Sequence, residues 1–249
     1  MGMNELWQRY QQGQVQRRLN RLSRRLREKY SQGYERVAAA EELSAIPGDE
    51  AIFLLLGRFD VLVPKISEDE EERRLVYDLV RAKGATAVPA ILRFIREKEN
   101  LAYPLRLLAE IVGRDEARRM ILDILANEFS PDYDRAPHKK MAIIQALAED
   151  RGEAVVTALM PFLRDPNDDV VISAAEVLAA QPETEEMIRS AFLDLLTEEE
   201  EKPRIKRKIA ELLKDHRWKV TGYRKKVEDI LPDGFYLDKK GFVKQLGEP

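Results

Sequence analysis

The side chains that most often carry out chemistry in proteins are sparse in this sequence. The chain has two histidines, His138 and His216, and no cysteine. The lack of cysteine excludes disulfides, thiolate metal sites and cysteine nucleophiles, and it fits a reducing compartment. Charged residues adjoin both histidines, which favours solvated surface positions over metal ligands. Motifs for phosphate-binding loops, nucleophile elbows and zinc proteases are also missing. We therefore predict a protein that is not an enzyme and that binds no metal or other cofactor.

A strongly basic region near the C-terminus has the residue types that bind nucleic acid. Residues 202–226 contain eleven Lys and Arg against two acidic residues, together with Trp218 and Tyr223. Cationic side chains can hold phosphates while an aromatic ring stacks on a base. The alternative is that Trp218 joins the hydrophobic core and the cations face water. The candidate anion-binding residues of this region are Lys206, Arg207, Trp218, Arg224 and Lys225.

The other end of the chain is basic as well, with nine Lys and Arg against three Glu in residues 1–36. Residues 4–32 have the period of an amphipathic helix, whose apolar stripe runs from Val15 to Tyr30. Five further candidate anion-binding residues occupy the other face: Arg17, Arg18, Arg21, Arg24 and Arg25. The stripe either caps one end of a repeat array or docks on a membrane surface or a partner.

The middle of the chain is acidic, although the net charge of the whole chain is only −3. Residues 37–201 contain 19 basic and 35 acidic side chains. The run from Glu68 to Glu72 is expected to be solvated at a helix start, where negative charge complements the helix dipole. Because an acidic body repels a polyanion, we do not favour nucleic acid as the main partner.

Regular spacing of apolar residues indicates how these side chains are positioned. Apolar anchors recur on average 34 residues apart, at Leu43, Val80, Val112, Leu147, Leu178 and Leu213. That period is typical of a two-helix repeat. A small or apolar residue precedes each anchor by four positions, and a basic residue precedes four of them by seven, namely Arg36, Arg73, Lys140 and Lys206. The spacing predicts six helical hairpins.

The clearest unit contains the corner Asp165-Pro166-Asn167-Asp168, in which Pro166 disfavours helix before it and Asn167 or Asp168 can cap the next helix. With Val170, Ala174 and Leu178 it nearly spells D-P-x-x-x-V-R-x-x-A-x-x-x-L, except that Val171 replaces the Arg. This pattern resembles HEAT repeats, including the HEAT-like repeats of phycobilisome lyases. The resemblance implies an all-α fold of the ARM type, an α-α superhelix or solenoid.

Second helices are predicted near 49–63, 84–99, 114–129, 151–164, 182–197 and 217–231. Pro89 and Pro161 fall inside these patterns and predict bends. Beyond them, Phe235 to Leu237 and Phe242-Val243 flank a Lys-Gly turn, which predicts a short β-hairpin packed on the last repeat. The predicted divisions are a basic N-terminal helix (1–33), a repeat body (34–231) and a C-terminal hairpin (232–249).

The resemblance implies a scaffold or adaptor that binds a protein partner on the curved face lined by second helices. The predicted contact residues are Arg93, Arg96, Arg118, Arg119, Arg189 and Tyr223. Two alternatives come from other HEAT-like proteins: a nucleic-acid binder similar to the alkylpurine DNA glycosylases, and a bilin-lyase-like enzyme. With no apolar run long enough to span a membrane and no apolar leader, we expect a cytoplasmic location. The sequence does not predict the oligomeric state.

Overall fold

The structure is a computed structural model that describes residues 3–181, 185–198 and 202–247, without the side chains of residues 3–11. Across these ranges the chain is mostly helical and contains one small antiparallel sheet of two strands. The prediction of a helical body followed by a C-terminal hairpin is confirmed. Within the same ranges, no helix is both long enough and apolar enough to cross a bilayer.

The chain divides into two compact units, residues 1–117 and residues 118–249, a division that the repeat pattern did not predict. The helices up to this boundary are α1 (Met3–Leu26), α2 (Gly33–Ala45), α3 (Asp49–Leu56), α4 (Ile66–Arg81), α5 (Val88–Glu97) and α6 (Ala102–Val112). Helix α7 (Arg114–Glu128) begins before the boundary and lies mostly beyond it. Then follow α8 (Pro137–Ala146), α9 (Glu153–Leu159), α10 (Asp168–Ala179), α11 (Glu185–Thr197), α12 (Pro203–Asp215), α13 (Arg224–Ile230), β1 (Phe235–Leu237) and β2 (Val243–Gln245).

Helices in the first unit pack against their nearest and next-nearest neighbours along the chain. Helix α2 contacts α3 and α4, α4 contacts α6, and α3 contacts α5. Helix α1 lies against α2 and α3. The second unit has the same order of contacts, because α8 packs on α10, α10 on α11 and α12, and α11 on α12 and α13. In both units, the first helices of successive hairpins therefore pack against each other.

The apolar positions found by spacing form the core of these contacts. The residues four positions before the anchors are all buried, namely Ala39, Val76, Leu108, Ile143, Ala174 and Ile209. The anchors Leu43, Val80, Leu147, Leu178 and Leu213 are buried too. Val112 is only half-buried, because α6 ends there and Gly113 turns the chain with a φ of 87°. Among the six predicted units, the third has the least regular register.

The corner before α10 forms as its residues predict. Asn167 is the N-cap, and its Oδ1 accepts hydrogen bonds from the backbone N–H groups of Asp169 and Val170 at 2.9 and 3.3 Å. Asp165 Oδ1 accepts the N–H of Asn167 at 2.9 Å. Side chains thus satisfy three backbone donors that the start of a helix leaves unpaired.

The basic helix α1 buries only part of its predicted stripe. Leu19, Leu22 and Leu26 are buried, and α1 packs on α2 and α3. Val15 is 50% exposed and Tyr30, which lies beyond the end of α1, is 84% exposed. The stripe is therefore shorter than predicted, and its buried part belongs to the core of the first unit.

Several second helices are shorter than predicted. Pro89 is the second residue of α5 and follows a 3-10 turn at Gly84–Ala87, so no bend is needed there. At Pro161 the predicted helix is interrupted, since α9 ends at Leu159 and a 3-10 turn follows at Met160–Arg164; the predicted bend itself stays a prediction. The predicted helix 182–197 begins at Glu185 in the structure, and residues 182–184 lie outside the described part of the chain.

The largest difference is at 217–231, where only Arg224–Ile230 is helical. Arg217 adopts a φ of 54°, and the N–H of Trp218 donates to the carbonyl of Leu213 at 2.9 Å, which ends α12 with a left-handed cap. The following residues run towards the hairpin, where Lys219 bridges Phe242. In the hairpin, Phe235 pairs with Gln245. Strand β2 packs on α12, as the predicted docking on the last repeat requires.

Candidate functional site

The predicted partner-binding residues lie on or beside the second helices, as proposed from the sequence. Arg93 and Arg96 are on α5 of the first unit, whereas Arg118, Arg119, Arg189 and Tyr223 belong to the second unit. Arg93 is already engaged, because it donates to Glu50 at 2.6 Å and to Glu97 at 2.8 Å. Its guanidinium also lies 3.9 Å from the ring centroid of Phe53. Arg93 therefore links α5 to α3.

Two of these residues in the second unit have internal contacts of their own. Arg189 lies 3.7 Å from Glu185, one helical turn earlier. The hydroxyl of Tyr223 donates to Asp194 Oδ1 on α11 at 2.6 Å, and this hydrogen bond raises the pKa of Tyr223. Tyr223 therefore positions the start of α13 against α11. Binding of a partner by this set of six residues remains a prediction.

The basic residues seven positions before the anchors have a shared structural role that the sequence did not predict. Arg36, Lys140 and Lys206 each donate to the backbone carbonyl of the residue eight positions earlier: Glu28 at 3.3 Å, Asp132 at 2.6 Å and Glu198 at 2.8 Å. Arg73 reaches the carbonyl of Val61, in the corner before its own helix, at 2.8 Å. Each cation therefore closes the turn that leads into its helix.

Two of these cations, Arg36 and Arg73, belong to a larger buried network. In the first unit, Glu72 Oε1 accepts from Arg36 Nη2 at 2.8 Å, and Glu72 Oε2 accepts from Arg58 Nε at 2.9 Å. Arg58 also donates to Asp69 at 2.7 Å, and Asp69 accepts from Arg73 at 2.7 Å. Arg36, Arg58, Asp69 and Glu72 are all buried. The expectation that the run from Glu68 to Glu72 is solvated is therefore wrong for Asp69 and Glu72, because three arginines surround them.

Several cations of the basic region 202–226 are paired with carboxylates within the second unit. These ion pairs join Arg204 to Asp169, Arg207 to Glu211, Lys208 to Glu176 and Arg224 to Glu228. Trp218 is 5% exposed and its ring packs 5.7 Å from that of Phe192. This burial supports the core interpretation of Trp218 over base stacking. Lys225 is exposed on α13.

The basic face of α1 differs from the basic region 202–226 in how its charges are paired. Arg17, Arg18, Arg21, Arg24 and Arg25 are all exposed. Arg18 pairs with Glu42 of α2 at 3.3 Å. The other four make no hydrogen bond or ion pair with any side chain in the part of the chain that the structure describes. Of the two basic ends, only this one keeps a row of guanidinium groups available to an anion.

A polar cavity of about 470 Å³ lies between α4 and α6 around Tyr77, which is 8% exposed. The Tyr77 hydroxyl lacks a hydrogen-bond partner of normal geometry among the described residues. Burial and the nearby Glu110 carboxylate raise the pKa of Tyr77 to about 12. Arg81 is paired with Asp78 at 2.9 Å and Arg106 with Glu110 at 3.1 Å, so two carboxylates already balance their charges.

An apolar groove with a volume of about 740 Å³ lies between α7 and α9 in the second unit. The α7 wall carries Leu122, Leu125, Ala126 and Phe129, at the spacing of one helical face. The opposite wall is formed by Ala154, Thr157, Ala158, Pro161 and Phe162 of α9 and the turn after it. Glu153, at one end, is its charged lining residue. This groove is not among the sites predicted from the sequence, although the apolar spacing on α7 is visible there.

Comparisons with protein-family models, with curated proteins and with solved structures find no match to this chain. The HEAT resemblance therefore depends on the residue pattern alone. In the described ranges, no group of three or more His, Cys, Asp or Glu side chains is arranged to hold a metal ion. Both histidines are exposed. The α7–α9 groove is thus the candidate site that geometry favours.

Proposed function

We propose that this protein is a non-enzymatic scaffold built from HEAT-type repeats, and that it binds a helix of a partner protein in the α7–α9 groove. The observation that carries the proposal is the groove itself. Leu125 and Phe162 are buried at its base, whereas Ala126, Ala154 and Pro161 are exposed along its walls. Apolar surface left open in this way is typical of an interaction site.

The recurring corner cation supports the assignment to HEAT-type repeats. A basic residue at one register position closes the turn before four of the first helices: Arg36, Arg73, Lys140 and Lys206. The packing of first helix on first helix within each unit supports it as well. Repeat proteins of this class bind partners through surfaces formed by equivalent helices of neighbouring repeats.

The shape and lining of the groove favour a helix as its occupant. Two helical walls with apolar side chains match an amphipathic helix whose apolar residues recur every three to four positions. Glu153 makes no ion pair or hydrogen bond within the described ranges, so a Lys or Arg flanking the apolar stripe of the partner would pair with it. An acidic flank would be rejected at the same position. The partner we propose is therefore an amphipathic helix with a basic edge.

Site-specific photocrosslinking tests the proposal. A benzophenone amino acid placed at Ala126 or at Thr157, on opposite walls, is expected to capture the same partner from native lysate. The matched control is Ala102, which is equally exposed but lies on α6 of the first unit. Ala126→Glu is expected to abolish capture from position 157 without changing the melting temperature. Equal capture from position 102, or capture unaffected by Ala126→Glu, would count against the groove.

A further inference from the structure

The exposed face of α1 carries a continuous row of arginines. At about 100° per residue, Arg17, Arg21, Arg24 and Arg25 fall within roughly a third of the helix circumference. The buried residues Leu19, Leu22 and Leu26 lie on the opposite side, against α2 and α3. The row extends over nine residues, whose eight steps of 1.5 Å correspond to about 12 Å along the axis. The fold thus presents a fixed cationic ridge.

Interactions within the chain do not explain why these four arginines lie together on one exposed face. Arg24 and Arg25 lie in the last turn of α1, where positive charge complements the helix dipole. That argument does not extend to Arg17 and Arg21, which stand one to two turns earlier and repel each other at i,i+4 spacing. None of these four guanidinium groups has an anionic partner within the described chain. Their repulsion would be relieved by an external polyanion.

Two kinds of polyanion could supply this charge, namely an anionic membrane and a nucleic acid. A helix that lies in a membrane interface inserts its apolar face between the lipids. In the last two turns of α1 that face is occupied, since Leu19, Leu22 and Leu26 are in the core of the first unit. The side chains exposed beside the guanidinium groups are mostly hydrogen-bonding ones, Gln14, Gln16 and Asn20, with Val15 half-exposed. This surface matches phosphodiester oxygens, which Arg binds with two parallel N–H donors.

We propose that the ridge formed by Arg17, Arg21, Arg24 and Arg25 binds the phosphate backbone of a nucleic acid without reading its sequence. Its length of about 12 Å corresponds to the rise of three to four base pairs at about 3.4 Å each. A cavity of about 470 Å³ at Arg17, Arg18 and Arg21 gives a phosphate access to these side chains. At the other end of the ridge, the cavity beside Arg24 has a mixed lining, with Arg27 and Lys29 as well as Glu28 and Asp60. The ridge shares no residue with the α7–α9 groove, so an experiment can contradict either proposal without contradicting the other.

Fluorescence anisotropy with labelled duplexes of DNA and of RNA, about 20 base pairs each, tests the ridge in the full-length chain. Neutralising four phosphates predicts a salt slope of about −3.6, which is roughly a 100-fold loss of affinity between 50 and 200 mM salt. The quadruple variant Arg17→Gln, Arg21→Gln, Arg24→Gln, Arg25→Gln is expected to lose most of the affinity at 50 mM and most of the slope. Glutamine keeps high helix propensity, and circular dichroism checks that the variant is folded.

The matched control removes the same number of positive charges from the other basic end. Its substitutions are Arg207→Gln, Arg224→Gln, Lys225→Gln and Lys226→Gln. It is expected to retain the affinity and slope of the parent to within a few-fold. Equal losses in both quadruple variants would overturn the proposal, because binding would then depend only on net charge. Failure of the parent to bind either duplex at 50 mM salt would overturn it too. So would binding to phosphatidylserine vesicles in place of the duplexes.

Discussion

Lys140 and Asp165 form a buried ion pair that joins two successive hairpins of the second unit. Lys140 Nζ on α8 lies 2.9 Å from Asp165 Oδ2 in the corner before α10. The lysine side chain is 3% exposed and the aspartate side chain 1%. The same ammonium group donates to the carbonyl of Asp132, so one cation fixes the start of its own hairpin and the start of the next.

Replacing this cation with a neutral side chain of similar length is expected to destabilise the second unit. Lys140→Met leaves Asp165 charged, buried and without its partner, which costs roughly 3–5 kcal/mol of unfolding free energy. Urea unfolding followed by Trp218 fluorescence in a Trp7→Phe background measures the effect. Lys225→Met, at an exposed position of α13, is the control and should change the unfolding free energy by less than about 0.5 kcal/mol. Equal effects of the two substitutions would contradict a structural role for the pair.

In the first unit, adjacent glutamates provide a matched test of the buried network. Glu72→Gln removes the charge shared by the buried Arg36 and Arg58, and is expected to cost roughly 3–5 kcal/mol. Glu71→Gln changes the same side chain one residue earlier, where it is exposed, and should be nearly neutral. Hydrogen exchange of peptides from α4, read by mass spectrometry, separates the two outcomes. Similar exchange rates in both variants would show that the network contributes little.

Acid should weaken the same network through Asp69. Burial alone would raise the pKa of Asp69, but hydrogen bonds from Arg58 and from the Val63 N–H, with the charges of Arg58 and Arg73, lower it overall. A lowered folded-state pKa means that the stabilisation is fully present above the unfolded-state value of about 3.9 and is lost as the pH falls through the folded value. The difference in unfolding free energy between the parent and Asp69→Asn should thus be constant from about pH 7 to 5 and narrow below about pH 4. A difference that stayed constant into strong acid would exclude this role for the carboxylate.

Alkali should destabilise the first unit through Tyr77. Its pKa of about 12 in the folded chain exceeds the usual value of about 10, so its contribution is present below pH 10 and is lost as the pH rises towards 12. Absorbance titration should show a phenol that ionises near pH 12, and that component should disappear in Tyr77→Phe. The variant should also be at least as stable as the parent at pH 7, because its hydroxyl has no good hydrogen bond to lose. Tyr34→Phe, at a residue 72% exposed, is the control and should leave the late titration unchanged.

The repeating part of the fold could be predicted because its cause is local. The positions around Ala174 and Leu178 recur with helical spacing, and side chains at this spacing lie on one face of a helix. The corner at Asp165-Pro166-Asn167 depends on capping and on the restriction before proline, both of which act over a few residues. The hairpin at Phe235 to Val243 was predictable for the same reason. Each of these features is confirmed by the structure.

The sequence by itself thus determined the first helices, the corner before α10 and most of the buried positions, since periodicity and turn chemistry act between neighbours along the chain. Tertiary structure alone decided which charges are used internally. Glu72 looks like any other member of an acidic run, and it is buried because Arg36 and Arg58, 36 and 14 residues away, converge on it. The two basic ends also look alike in sequence. They differ in the structure because carboxylates of α10 and α12 reach Arg204, Lys208 and Arg207, whereas among the described side chains none reaches Arg17, Arg21, Arg24 or Arg25. Composition gives only the number of charged residues in each region. Which cations lie within pairing distance of a carboxylate depends on packing, and packing depends on contacts between residues far apart in the chain.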